Sequence, residues 1–109
     1  MADSFSERQK GAEAKYAHDE ETRFKVMARR NKLLGLWAAS EMGISGAAAD
    51  SYAKEVIQAD FEEAGDDDVL RKVSKDFAAK SVSHGDSAIR AKMDELLAIA
   101  GDQVMAEKK

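Results

Sequence analysis

Apolar residues recur every three or four positions along most of the chain, which is the spacing of one face of an α-helix. Good helix formers dominate from Glu13 to Glu41, so the first helix is predicted to span these residues. Its apolar stripe is confined to its second half and consists of Phe24, Val26, Met27, Leu33, Leu34, Leu36 and Trp37. Because only this half has a face to bury, we expect the core to begin near Arg23.

Glycine and serine mark the end of the first helix and the start of the second. Gly43 suits the left-handed conformation of a helix end, and Ser45 suits an N-cap. The second helix is therefore predicted to run from Gly46 to Ala64. Its inward-facing residues are predicted to be Ala49, Tyr52, Ala53, Val56, and then Ile57 or Phe61.

Two further amphipathic segments complete the pattern. The third helix is predicted to run from Asp67 to Ser81. Its buried residues are predicted to be Val69, Leu70, Val73 and Phe77. In the loop after it, Ser83 or Asp86 is predicted to cap a last helix, and the chain is predicted to fray after Met105. The buried residues of this last helix are predicted to be Ile89, Met93, Leu96, Leu97, Ala100 and Val104.

Four amphipathic helices joined by short loops predict an all-α fold, a small four-helix bundle. We assign residues 23–109 to the bundle core, including the frayed C-terminal end. We assign residues 1–22 to an N-terminal arm that is mobile when the protein is free, and leave open that it extends the first helix. Phe5 and Tyr16 are the only aromatic residues in the arm, so it has too little apolar surface to hold a helix in place alone. Such an arm either has no role or folds against a partner.

The composition excludes several classes of function. A length of 109 residues is enough for one domain, and the absence of cysteine excludes disulfides and thiolate metal sites. Acids and bases are interspersed, with 35% charged residues and a net charge of only −4, which disfavours nucleic acid as a partner. No apolar run approaches the roughly 20 residues of a membrane span, and no secretion signal begins the chain. We therefore expect a cytoplasmic protein without direct membrane insertion.

No set of residues predicts catalysis or metal binding. His18 and His84 are far apart, and neither has a histidine or cysteine at metal-ligand spacing. The run Asp66-Asp67-Asp68 lacks the spaced oxygen ligands of a calcium loop and is interpreted as the start of a helix. There is no glycine-rich phosphate loop and no recognisable set of nucleophile, base and acid. The sequence therefore predicts a protein that is not an enzyme and needs neither metal nor cofactor.

Charge is distributed unevenly along the chain. The segment Phe24–Leu34 has a local net charge of +4, whereas Asp50–Asp68 holds eight acids and a single lysine. The basic residues of the first helix are a candidate docking surface, which could also attract the phosphates of ADP or ATP weakly. They are Arg23, Lys25, Arg29, Arg30 and Lys32. The alternative is that the basic and acidic segments pair with each other or face water, where each pair adds about 0–1 kcal/mol.

Several runs of the sequence are similar to those of a known protein family. They are Glu13–Glu21, Phe24–Lys25, Ala28–Ala39, Tyr52–Val56, Ala59–Gly65 and Asp68–Val73. Together they resemble the zeta subunit that inhibits the F-type ATP synthase of alpha-proteobacteria, and the resemblance covers nearly the whole chain. It implies a four-helix protein whose N-terminal segment enters the catalytic head between nucleotide-binding subunits, next to the central rotor. By this resemblance, the segment would block rotation there in the direction of ATP hydrolysis.

The resemblance also implies a set of contact residues and a location. The inhibitory segment would span Met1–Asp19, with contacts from Phe5, Arg8, Glu13, Lys15, Tyr16 and His18. The protein would be held at the inner membrane only through the ATP synthase, and we expect it to be a monomer when free. The alternative left open is a small helical module that binds adenine nucleotide, or another protein, without inhibiting it.

Overall fold

The computed structural model of the protein describes residues 20–60 and 67–107. Within them the regular elements are four helices: α1 (Glu20–Glu41), α2 (Gly46–Ala59), α3 (Asp67–Ala79) and α4 (Asp86–Glu107). Helix α1 packs against both α2 and α4, and α3 packs against the same two helices. The predicted all-α bundle is confirmed for this part of the chain.

Two apolar clusters form the core. The main cluster draws its buried residues from all four helices: Leu34, Ala38, Ala39, Ala49, Tyr52, Val56, Val69, Val73, Phe77, Ile89 and Met93. The small cluster joins α1 to α4 and consists of Val26, Ala100 and Val104. Most of the predicted buried residues are thereby confirmed. Six others are half-buried and pack at the edges of these clusters, namely Leu33, Leu36, Trp37, Leu70, Leu96 and Leu97.

The structure differs from the predicted core near the start of α1 and in the last turn of α2. Phe24 is 57% exposed, because it lies on the opposite face of α1 from the buried Val26. In α2 the innermost residue of the last turn is Ala59, whereas Ile57 is half-buried. Phe61 lies outside the described residues.

A close approach of α1 to α2 depends on Gly35. A Cβ atom at this position would lie 2.5 Å from the Cα atom and 3.1 Å from the Cβ atom of Ala53. Real Cβ atoms do not come so close to backbone, so any larger residue would push the two helices apart. Gly35 thus sets the distance between the two helices.

Helices α1 and α3 end in the same way, with one residue in the left-handed region. After α1 that residue is Gly43 (φ 76°), as predicted, and the Ile44 amide donates to the Ala39 carbonyl at 2.8 Å. After α3 it is Ser81 (φ 59°), and the Val82 amide donates to the Phe77 carbonyl at 2.8 Å. The third helix therefore ends before Ser81, and the apolar residue that follows each turn packs on the main cluster.

The helix starts confirm one capping prediction and correct another. Ser45 holds the N-cap position of α2, but its side chain makes no capping hydrogen bond. For α4, the Ile89 amide donates to the Gly85 carbonyl at 3.1 Å, so Gly85 is the cap and Asp86 is the first helical residue. Ser83 precedes that position and is not the cap.

The described helices extend past the predicted start of the bundle core and past the predicted point of fraying. Helix α1 already includes Glu20, and α4 continues through Glu107, two residues beyond Met105. Residues 1–19 lie outside the described residues. The division into an arm, residues 1–22, and a core, residues 23–109, therefore stays a prediction.

Candidate partner-binding surface

A groove of about 330 Å³ runs along the outer face of α1, between α2 and α4. Phe24, Ala28 and Lys32 follow each other at four-residue intervals, so they share one face of the helix. Residues of α2 and α4 complete the walls. We call this feature the α1 groove, and it is lined by Phe24, Lys25, Ala28, Arg29, Lys32, Ile57, Val104 and Glu107.

The position of the groove follows from which face of α1 is buried. The buried residues Thr22, Val26 and Arg30 also recur every four residues, and the stripe continues into the main cluster. Phe24 stands two residues away from this stripe, or about 200° around the helix. Phe24 therefore points outward, as do Ala28 and Lys32 on the same face of the helix. A neighbouring hollow of about 300 Å³ is lined by Arg23, Phe24, Met27 and Asp60.

The basic residues of α1 divide into paired and unpaired groups. Arg29 donates 2.9 Å hydrogen bonds to the side-chain oxygens of Gln103 and Glu107, and Lys25 lies 3.3 Å from a carboxylate oxygen of Glu21. Arg23 and Lys32 are exposed, and neither has an ion-pair partner within residues 20–60 and 67–107. Residues near the end of α4 thus pair with part of the basic surface, whereas Arg23 and Lys32 remain available to bind a partner.

Arg30 is not part of this surface, which corrects the prediction that it belongs to a docking strip. Its side chain is 1% exposed, and its Nε atom donates to the Oδ1 atom of Asn31 at 2.8 Å. The Nδ2 atom of Asn31 in turn donates to a carboxylate oxygen of Asp60 at 2.9 Å. This buried chain of hydrogen bonds ties α1 to the end of α2, so Arg30 has a structural role. It also shows that one acidic residue of Asp50–Asp68 does face the basic helix.

Comparison with known proteins identifies the family of this chain. A sequence model of the family described as ATPase inhibitor subunit zeta matches residues 1–103. The chain belongs to this zeta family. A protein structure determined in solution by NMR is also similar, with a TM-score of 0.70 and 50% sequence identity over 78% of this chain and 96% of the other. None of the curated proteins matches.

Membership confirms the family indicated by the sequence and supports an inhibitory role at the ATP synthase. An inhibitor subunit is consistent with the prediction that the chain is not an enzyme. The matched region includes residues 1–19, to which the predicted inhibitory contacts belong. Those contact residues, Phe5, Arg8, Glu13, Lys15, Tyr16 and His18, lie outside the described residues. Of the described helices, none is long and apolar enough to cross a membrane.

Away from the groove, the zeta-family bundle holds a polar network between α2 and α3. The Tyr52 hydroxyl donates to Asp76 at 2.7 Å, and the Lys72 ammonium bonds Glu55 and Asp76, both at 3.0 Å. Burial, together with the hydrogen bond to Asp76, raises the pKa of Tyr52 far above its usual value. Burial opposes the charge of Lys72, but its two carboxylate partners outweigh it and raise its pKa. The network links two helices and leaves its polar groups satisfied, so we assign it a structural role.

His84 takes part in a second cluster, at the far end of α1. Its Nε2 atom lies 2.5 Å from a carboxylate oxygen of Glu41. Its ring lies 5.5 Å from the ring of Trp37 and 5.7 Å from that of Phe77, centroid to centroid. The predicted loop position of His84 is therefore correct, with a packing role in addition. Over the described residues, no group of three or more potential ligands could hold a metal ion.

Sequence reasoning missed the apolar part of the groove. Phe24 was assigned to the core, and Ile57, Val104 and Glu107 were not connected with the basic residues. The available signal was that Phe24 falls midway between Thr22 and Val26, outside their four-residue stripe. That signal shows which face is outward only after the buried face is known.

Proposed function

We propose that this chain inhibits ATP hydrolysis by the F-type ATP synthase through a two-part attachment. Residues 1–19 enter the catalytic head beside the central rotor and block rotation in the direction of hydrolysis, while the bundle holds the protein on the complex. The observation that carries the proposal is that the zeta family match includes both parts, from residue 1 to residue 103. The protein is then peripheral to the membrane only because its partner is a membrane complex.

The structure supports the proposal that the bundle folds independently of residues 1–19. Both apolar clusters and the residues packed against them lie between Val26 and Met105. The described bundle thus forms its core from residues that follow the proposed inhibitory segment. Removing residues 1–19 should therefore leave the fold intact.

A two-part attachment also has a thermodynamic reason. A short polar segment that folds on its partner gives up conformational entropy at that moment, which weakens its affinity. Docking of the bundle keeps the segment at a high local concentration beside its site. A free peptide of residues 1–19 should therefore inhibit far less well than the whole chain.

Steady-state ATPase assays on the purified catalytic head test the proposal. The full chain should inhibit hydrolysis, and deletion of Met1–Asp19 should abolish inhibition without changing the melting temperature. The truncated chain should still bind and compete with the full chain for the same site. Undiminished inhibition by the truncated chain would place the inhibitory surface on the bundle and contradict the proposal.

Point substitutions within the segment refine the test. Phe5→Ala and Tyr16→Ala should weaken inhibition more than Lys10→Ala, since aromatic anchors dominate many small interfaces. Arg8→Ala, Glu13→Ala, Lys15→Ala and His18→Ala test the remaining predicted contacts. If all of these variants inhibit as well as the unaltered chain, the residue assignments are wrong, whatever the deletion shows.

A further inference from the structure

The α1 groove combines one exposed aromatic side chain with apolar lining residues from three helices. Phe24, at 57%, is the more exposed of the two large apolar residues that stand out in the described part, the other being Ile99 at 40%. Single exposed apolar side chains are common and need no explanation. Phe24, however, shares its groove with Ala28, Ile57 and Val104, which lie on three different helices. The apolar surface is therefore assembled by the fold.

The dimensions of the groove suit a short helix. Phe24 and Lys32 are separated by about 12 Å along the axis of α1, which corresponds to a little over two helical turns. Apolar grooves between helices bind amphipathic helices through residues at spacings of three and four. Three turns of such a helix would cover the floor from Phe24 to Lys32.

The charges at the groove select the kind of helix that fits. Lys25, Arg29 and Lys32 line it, with Glu107 as the only acid among its lining residues. Glu107 is already engaged by Arg29. Lys32 at one end and Arg23 near the other have no ion-pair partner among the described residues. Carboxylates beside an apolar stripe would complement both ends.

We infer that the α1 groove is the docking site for an amphipathic helix of the ATP synthase that carries acidic side chains beside its apolar face. The identity of the partner complex rests on the proposed function. Phe24 and Ile57 would supply the apolar contact, because water leaves their surface on binding. Lys32 and Arg23 would pair with carboxylates of the docked helix and set its direction, so that reversing the charge of Lys32 would place like charges side by side.

Affinity measurements with full-length variants test the groove. Phe24→Ala and Lys32→Glu should each weaken binding to the purified catalytic head by about tenfold. The matched controls are Ile99→Ala, an exposed apolar residue outside the groove lining, and Lys75→Glu, an exposed lysine of α3. These should change affinity by less than about twofold. Since Phe24 and Lys32 are exposed, melting temperatures of the groove variants should match that of the unaltered chain.

A synthetic peptide tests the chemistry of the occupant. The probe has about 12 residues, three helical turns, with leucine on the groove-facing side and glutamate elsewhere. In an NMR titration of the full chain it should shift backbone amides along the groove, and Lys32→Glu should reduce its affinity about tenfold. The same peptide with lysine in place of glutamate should not shift them. The acidic peptide should also compete with the catalytic head for the full chain.

The outcomes separate this inference from the proposed function. Equal binding of the acidic and basic peptides, clustered groove shifts with ADP or ATP alone, or self-association of the chain through Phe24 would each overturn the inference. Unchanged affinity of Phe24→Ala and Lys32→Glu for the catalytic head would overturn the inference as well. In that case the proposed function would still stand if deletion of residues 1–19 abolished inhibition. If the unaltered chain neither bound nor inhibited the catalytic head, the proposed function would fail, and the identity of the partner with it.

Discussion

The two ends of the bundle are held together by different interactions. The apolar end contains the main cluster, which joins all four helices from Leu34 in α1 to Met93 in α4. The polar end contains the small cluster between the first half of α1 and the last turns of α4. All of the buried polar residues of the described part belong to the polar end, namely Thr22, Arg30 and Asn31.

This difference places the candidate partner surface where apolar packing contributes least. Buried polar groups are tolerated only when they are hydrogen-bonded, and Arg30 and Asn31 meet that condition through Asp60. Apolar side chains near them, Phe24 above all, are left outside and line the groove. The polar end is also the one that residues 1–19 precede along the chain. On the proposed docking site, stability and recognition fall at opposite ends of one small bundle.

The largest expected effect comes from emptying the apolar end. Phe77 is 1% exposed, so Phe77→Ala should lower the free energy of unfolding by about 3–5 kcal/mol. A matched pair compares the two ends directly: Val73→Ala in the main cluster should cost more than Val26→Ala in the small cluster. Both side chains are buried, but among the described residues the small cluster has fewer buried members than the main cluster. Urea unfolding of the three variants measures this, and equal losses for the two valines would show that the ends are packed alike.

The next effect concerns the region where the two ends meet. Gly35→Ala places a Cβ atom 2.5 Å from the Cα atom of Ala53, so α1 and α2 must separate. We expect a loss of about 1–3 kcal/mol, the usual cost of overpacking a core. Ser40→Ala, an exposed change on the same helix, is the control and should leave the melting temperature nearly unchanged. If Gly35→Ala were neutral or stabilising, the close approach of the helices would be wrong.

How far the sequence predicts this fold differs between the same two regions. At the apolar end, the stripes of α2, α3 and α4 are regular, and Gly43 ends α1 as expected. Periodicity alone therefore gives most of the main cluster. The periodicity of apolar residues cannot predict that Gly35 is required. A close approach of two backbones depends on the neighbouring helix and not on the spacing of apolar residues within α1.

At the polar end, hydrophobicity gives the wrong face. Phe24 is more apolar than Thr22 or Arg30, so a pattern of apolar residues assigns Phe24 to the core and the other two to the surface. The structure reverses this because Arg30 finds partners in Asn31 and, through it, Asp60. The burial of Arg30 therefore depends on Asp60, which is distant in sequence. The groove was therefore predictable only in its charge, through Lys25, Arg29 and Lys32.

A smaller effect is expected at high pH, and it belongs to the apolar end. Folding raises the pKa of both Tyr52 and Lys72, so their contribution is complete below the unfolded values of 10.0 and 10.5. It is lost as the pH rises through the folded values, so stability should fall above about pH 10. Tyr52→Phe removes the hydrogen bond to Asp76, which should cost about 1 kcal/mol at neutral pH. The same variant should lose less additional stability between pH 9 and pH 11, roughly the range of these titrations.

Unfolding curves measured at several pH values test this expectation. Lys54→Gln, an exposed change on the same helix, controls for the general loss of positive charge at high pH. An alkaline loss of stability as large in Tyr52→Phe as in the unaltered chain would contradict a role for the Tyr52 hydroxyl.

The smallest expected effect is a gain, at the turn after α3. Ser81 adopts a left-handed conformation (φ 59°), which costs a residue with a Cβ atom about 1–2 kcal/mol. Glycine adopts this conformation freely but loses more entropy on folding, by about 0.5–1 kcal/mol. Ser81→Gly should therefore stabilise the bundle by roughly 0.5–1 kcal/mol, as Gly43 does at the equivalent turn after α1. Ser83→Gly, two residues on and outside the left-handed region, should give no gain in thermal unfolding. Because the turn lies at the apolar end, Ser81→Gly should leave affinity for the catalytic head unchanged, and a changed affinity would show that the two ends are coupled.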